Sequence, residues 1–268
     1  FQNIMKAYKV NDYKAYGTSA IRETQNTRIL LDQIWQRTGI KIDVLSNSEQ
    51  RFMDYKSIAS RTEDFNKIIE KGTAIVDIGG SSIQISLFEK GSLISTQNMR
   101  LGVLRLQEKI NRLNAASSRI EGLIDEMATA QHSVFKKMYL KDCKIEHIIV
   151  VDDYISVILQ NPAITKERAG VIEAETYMSF LESVQSRTLP EIAGTLNIPR
   201  ENAILLFISA ILVKRLVKMM DVSLLWAPGG TLCDGIAYEY AEQHKIFKVE
   251  HDFETDILSG AENISKRY

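Results

Sequence analysis

The stretch Ala74-Ile75-Val76-Asp77-Ile78-Gly79-Gly80-Ser81-Ser82-Ile83-Gln84-Ile85-Ser86 constrains this chain more than any other. Apolar, mostly β-branched residues lie on both sides of a glycine pair, which predicts two antiparallel strands over residues 73–78 and 83–89 with a turn at 79–82. Lys90-Gly91 is a second hairpin signal and predicts a third strand over 92–99. A phosphate group needs several donors converging at short range. The backbone N–H groups of a glycine-rich turn supply them without bulky side chains in the way. Gly79 and Gly80 permit that approach, and Ser81 and Ser82 add hydroxyl donors. Asp77, at the end of an apolar strand, is a candidate ligand for a divalent cation. The competing reading of the same residues is a tight hairpin with a solvated aspartate.

Around this centre the pattern alternates between helix and strand. Residues 20–38 predict a helix, with Ile21, Ile29, Leu30, Ile34 and Trp35 as apolar positions and Thr38-Gly39 as its end. Residues 41–45 alternate as a strand, and a second helix is expected from Ser48. Helical periodicity returns over 104–138, with a break near 114–118. Residues 144–151 and 222–226 read as strands. Thr188-Leu189-Pro190-Glu191 marks a helix start, Pro199 opens a long apolar helix through Met220, and a closing helix covers 234–243. The expected fold class is α/β, with mixed sheets flanked by helices. A soft boundary is expected near Gly72, dividing the chain into residues 1–72, 73–248 and a tail, 249–268.

Composition narrows the function. A formal net charge of −1 over 268 residues argues against a general DNA binder, whose affinity needs a basic excess. The longest apolar run, near residues 203–213, is too short to cross a bilayer. Cys143 and Cys233 are the two cysteines, which suits a reducing cytoplasmic setting. The chain opens on Phe1 without the grammar of a signal peptide, so a segment ahead of it is expected.

Upstream of the hairpin stand Thr18-Ser19-Ala20-Ile21-Arg22, then Asn26, Thr38-Gly39-Ile40 and a strand ending at Ser46. Downstream come Leu101-Gly102-Val103-Leu104-Arg105-Leu106 and the segment 222–238 with Gly235. In this order the motifs resemble the exopolyphosphatase and guanosine pentaphosphate phosphatase family over nearly the whole chain. The resemblance implies an actin-like (ribonuclease H-like) fold with two lobes around a phosphate cleft. It also implies magnesium-dependent cleavage of polyphosphate or a phosphorylated guanosine nucleotide. Thr18, Ser19 and Arg22 would then join Gly79, Gly80, Ser81 and Ser82 at the phosphates, with Asp77 toward Mg2+. The family's first phosphate loop, D-x-G-S-N-S, has no counterpart here, which implies that the opening strands of the first lobe are missing. A homodimer is left open.

The departures bear on activity. An ungapped comparison from Ser46 sets Gln50 at the family's general-base glutamate, and Gln84 stands at a second acidic position. Glutamine orients water but accepts no proton from it at neutral pH. A one-residue gap would put Glu49 at the base position instead. Asp152 and Asp153 replace a glycine-rich turn, either repelling phosphate or capping the next helix. Cys233 and Asp234 stand where the family carries arginine and glutamate. His132, His147, His244 and His251 have no ligand-like spacing, and Lys214, Arg215 and Lys218 form either a solvated face or a guide for a polyanion. Three readings follow: a phosphate-binding protein with impaired hydrolysis, an active phosphohydrolase using Glu49, or an interaction module with a vestigial cleft.

Overall fold

Packing divides the chain into two units, residues 1–52 and 53–268. The computed structural model describes residues 1–62, 65–114, 119–141, 143–152, 154–160, 170–185, 187–249 and 251–266. The first unit holds α1 (Gln2–Ala7), β1 (Tyr16–Gly17), α2 (Ser19–Arg22), α3 (Thr27–Thr38) and β2 (Asp43–Val44). β1 and β2 pair in parallel, Tyr16 opposite Asp43. The single helix expected over 20–38 is broken after Arg22. The reason is local: the Thr24 hydroxyl donates to the Ala20 carbonyl, and the Thr27 hydroxyl donates to the Ile21 and Thr24 carbonyls. Such side chains offer the backbone an alternative to the helical ladder. Gly39, at φ 66°, ends α3 as the sequence predicts.

The division falls within α4 (Asn47–Ala59). The second unit continues with α5 (Phe65–Glu70) and then β3 (Thr73–Ile78), β4 (Ile83–Glu89) and β5 (Ser92–Met99), the three strands expected at those bounds. They are followed by α6 (Val103–Arg112), α7 (Ile120–Tyr139), β6 (His147–Val151), α8 (Ile155–Leu159), β7 (Val171–Glu173) and α9 (Ala174–Gln185). The unit closes with α10 (Leu189–Leu196), α11 (Arg200–Met220), β8 (Leu224–Trp226), α12 (Leu232–Gln243) and α13 (Phe253–Ser265). The break expected near 114–118 falls mostly on residues 115–118, outside the described residues.

One six-stranded mixed sheet runs in the order β5-β4-β3-β6-β8-β7. β3–β4 and β4–β5 are antiparallel, whereas β3–β6 and β6–β8 are parallel. β3 and β6 are central and read as continuous apolar runs because helices cover both faces. Period-two alternation sorts their side chains. Ala74, Val76, Ile78, Ile83, Ile85, Leu87, Ile148 and Val150 join the core that α6, α7 and α11 fill. Asp77, Gln84, Ser86 and Phe88 point to the other face. There Tyr55 of α4 meets the Phe88 ring edge-on at 5.3 Å and its hydroxyl donates to Ser86 Oγ at 2.5 Å.

This packing moves the boundary ahead of Gly72. Tyr55 and Ile58 are fully buried, which joins the second part of α4 to the sheet. The stretch 249–268, expected as a tail, carries α13 across the edge strand β5. Asn263 Nδ2 donates to the Leu93 carbonyl at 2.9 Å, and Phe253 is buried against Phe65 and the His251 ring. No helix among the described residues is long and apolar enough to cross a membrane.

Candidate functional site

The hairpin turn between β3 and β4 is held by the first turn of α6. The Gly79 N–H closes the turn on the Ser82 carbonyl at 2.9 Å. The Gly79 carbonyl accepts from the Val103 N–H (3.0 Å), and the Gly80 carbonyl accepts from those of Leu104 (2.9 Å) and Arg105 (3.1 Å). The Ser81 carbonyl accepts from Arg105 Nε at 2.9 Å. In a trans peptide the carbonyl and the following N–H point in opposite directions. With three successive carbonyls turned to α6, the N–H groups of Gly80, Ser81 and Ser82 point away from it. They form a short row of aligned donors, the arrangement an oxyanion requires. Ser82 Oγ accepts from Asn98 Nδ2 at 3.3 Å, which leaves its hydroxyl hydrogen free to donate on the turn.

Gly102 makes that seating close. It caps α6 with ordinary extended angles (φ −66°, ψ 154°), yet a Cβ there would lie 2.3 Å from Ser81 C and Ser82 N. Gly102 and Arg105 thus shape the turn without belonging to it. The Leu101–Leu106 motif was their only signal in the sequence, and nothing in it assigned them a contact.

Asp77 is half-buried, opposite Gln84 in the β3–β4 register. A carboxylate only accepts, so the Gln84 amide nitrogen faces it, at 3.4 Å from Asp77 Oδ2. The Gln84 Oε1 is buried and has no partner. A magnesium ion usually retains waters and uses one or two carboxylates plus substrate phosphates. Asp77, a single half-buried carboxylate, fits only an ion that arrives with phosphate and its own waters. No group of three or more histidine, cysteine or acidic side chains occurs among the described residues to make an all-protein cage.

In the first unit, Thr18 is the N-cap of α2, with Ser19 its first residue. The Arg22 guanidinium donates to the Leu45 carbonyl and to Asn47 Oδ1, tying α2 to the end of β2 and the start of α4. Glu49 sits in a capping box. Its Oε2 accepts from the Ser46 N–H at 2.7 Å, and its own N–H donates to Ser46 Oγ at 3.2 Å. The Ser46 backbone bond, then its side-chain bond, hold the Glu49 carboxyl below the usual carboxylate range against a small opposing effect of burial. Gln50 follows on the first turn of α4, half-buried. The structure therefore gathers Arg22, Glu49 and Gln50 about the β2–α4 connection. It gathers Asp77, Gly79, Gly80, Ser81, Ser82 and Gln84 about the hairpin of the second unit.

Asp152 follows the capping alternative. Its Oδ1 accepts from the Ile155 N–H at 2.6 Å and from the Tyr154 N–H, and its Oδ2 accepts from the Ser209 hydroxyl. Asp153 lies outside the described residues. Asp234 is also a cap, closing a box with Thr231 and pairing with Arg61 at 3.0 Å, and Cys233 beside it is exposed. Gly235 has a packing cause: a Cβ there would lie 1.9 Å from the Met53 carbonyl oxygen.

The model of the Ppx/GppA phosphatase family matches residues 1–244. Among curated proteins, the guanosine-5'-triphosphate,3'-diphosphate pyrophosphatase of Vibrio atlanticus is 20% identical over 248 residues, 85% of this chain and 45% of its own length. The curated relatives are thus matched over less than half their length. Among solved structures, an exopolyphosphatase from Cytophaga hutchinsonii superposes with a TM-score of 0.70 at 16% identity, covering 92% of this chain and 80% of that one. The Aquifex aeolicus Ppx/GppA protein gives 0.68 at 14% identity, covering 91% and 78%. These likenesses show a shared α/β fold, the class expected from the sequence.

Proposed function

The chain belongs to the Ppx/GppA phosphatase family, and on that premise we propose that its β3–β4 turn binds the phosphates of polyphosphate or of a phosphorylated guanosine nucleotide, with slow hydrolysis. The observation that carries the reading is the orientation of the turn. Three carbonyls committed to α6 leave the N–H groups of Gly80, Ser81 and Ser82 aligned as donors. A phosphate needs such convergent donors. By family resemblance, Thr18, Ser19 and Arg22 of the first unit are further phosphate-binding candidates.

Hydrolysis needs a water deprotonated beside the phosphate. Gln50 and Gln84 accept no proton at neutral pH. Glu49, the rival base, is engaged as a helix cap with its carboxyl held acidic, which suits it poorly to take a proton from water. Magnesium, when bound at Asp77, would neutralise phosphate charge. The Gln84 amide already donates toward Asp77 and so lowers the need for a cation between the two side chains. The proposed compartment is a reducing cytoplasm, which suits the thiols of Cys143 and the exposed Cys233.

The test is phosphate release from tripolyphosphate with magnesium, for the parent and for Gln50→Glu with Gln84→Glu. The parent is expected to bind yet turn over slowly. The double substitution is expected to raise the rate, since a general base contributes roughly 100–10,000-fold. Brisk turnover by the parent, abolished by Glu49→Gln, would replace this reading with the active-enzyme one. Absence of any binding to phosphorylated ligands would leave only an interaction role.

A further inference from the structure

A cavity of about 330 Å3 lies between one face of α7 and the last turns of α11. Its size is at the small end of ligand pockets, ~300–1,000 Å3. None of its lining residues belongs to the hairpin turn or to the segments assigned to the phosphate site. Two pairs across it are charge-compensated: Lys214 with Glu121 at 2.7 Å, and Arg215 with Asp125. Beyond them the pattern changes. Lys136 of α7 and Lys218 of α11 line the same cavity, both are exposed, and neither forms an ion pair among the described residues. The lining therefore carries four cations (Lys136, Lys214, Arg215, Lys218) against two carboxylates (Glu121, Asp125), both of them already paired.

His132 adds an independent observation. Arg215 Nε donates to its Nδ1 at 3.4 Å, so the neutral ring carries its proton on Nε2. The side chain is only 5% exposed, and that Nε2 has no hydrogen-bond partner. Burial first, and Arg215 second, hold the imidazole neutral, with Asp125 opposing them. Two ammonium groups lining one cavity repel. That repulsion is relieved by one kind of guest, a small multiply charged oxyanion, and the Arg215–His132 contact lies on the lining where it would sit.

We propose that the α7–α11 cavity is a second anion site, taking a phosphate-class oxyanion between Lys136, Lys218 and the Arg215–His132 pair. The excess of two positive charges matches a dianion. The same chemistry serves inorganic phosphate or one unit of a polyphosphate chain.

The experiment titrates inorganic phosphate and tripolyphosphate into the parent, Lys136→Gln/Lys218→Gln, and Gly102→Ala, whose added Cβ meets the hairpin turn and none of the cavity lining. Binding is followed by calorimetry, melting by fluorescence, and the His132 ring by nitrogen-15 NMR. Both lysines are exposed, so the double variant is expected to fold. Removing two like charges should raise its melting temperature in the absence of anion, while phosphate affinity at this site falls at least ten-fold. In the parent, phosphate should shift the His132 ring resonances through the Arg215 Nε–Nδ1 contact, and Gly102→Ala should leave that shift intact. Tripolyphosphate binding at least ten-fold tighter than phosphate identifies a chain as the guest, and equal affinities identify free phosphate. An unmoved His132 resonance overturns the proposal. So does a double variant that melts lower with unchanged phosphate affinity, because the lysines would then serve only the helix ends. Loss of turn binding in Gly102→Ala with this site intact, or the reverse, separates this inference from the proposed function.

Discussion

Gly102→Ala isolates the contact that orients the hairpin turn. The backbone at Gly102 is extended, with φ −66° and ψ 154°, so alanine meets no conformational penalty there. Freed of contacts, such a change would stabilise by ~0.4–1 kcal/mol through the unfolded chain. The added Cβ, however, would lie 2.3 Å from Ser81 C and Ser82 N and 2.4 Å from Gly80 C. Carbon contacts are comfortable at roughly 3.5–4.0 Å, so the turn and α6 must separate by about 1 Å. That separation would break the bonds from Val103 N to Gly79 O, Leu104 N to Gly80 O and Arg105 Nε to Ser81 O, now 2.9–3.0 Å. At about 0.5–1.5 kcal/mol net for each bond, part of which water recovers, a destabilisation of roughly 1–3 kcal/mol is expected. Urea unfolding measures it, and calorimetry with tripolyphosphate measures the function. Affinity at the turn should fall at least ten-fold, because the Gly80, Ser81 and Ser82 donors lose their alignment. Gly91→Ala is the control. It forces alanine into φ 74° with open space around it, so it should cost stability and leave binding unchanged. A Gly102→Ala protein as stable as the parent, with unaltered affinity, refutes the reasoning.

His132 should carry a pH dependence. Its folded pKa is pushed down to about 4 from 6.5, so the unfolded chain binds the proton first and stability falls as pH drops from 6.5 toward 4. The full contribution is about 3 kcal/mol, and His132→Asn, which keeps an acceptor for Arg215, should flatten the unfolding free energy across that window relative to the parent. Gly235→Ala should cost roughly 1–3 kcal/mol in urea unfolding despite the better helix propensity of alanine, because the Cβ would meet the Met53 carbonyl oxygen at 1.9 Å. An increase in stability there would mean that α12 and α4 are not held so close.

In the hairpins and at two helix ends neighbouring residues decide the conformation, and there the sequence was sufficient by itself, whereas the local break after Arg22 was missed. β3, β4 and β5 occupy the residues that apolar patterning and two turn signals predict, because hairpin register is set within a few residues of the turn. Gly39 and the Thr188 cap likewise mark helix ends through their own geometry. One local signal was present and unread: Ser46-x-x-Glu49 is a capping box, and it gives Glu49 a task unlike that of a base. The rest depends on partners far along the chain. Asp152 is a cap steadied by Ser209, Gly235 is small because Met53 lies against it, and α13 has its place because β5 offers an edge. The family order located Gly102, but only α6 packed on the turn shows why no side chain fits there. Periodicity records which face of an element is apolar. It does not record which distant backbone will meet that face, and that meeting directs the turn's donors and brings Lys136 and Lys218 to one cavity.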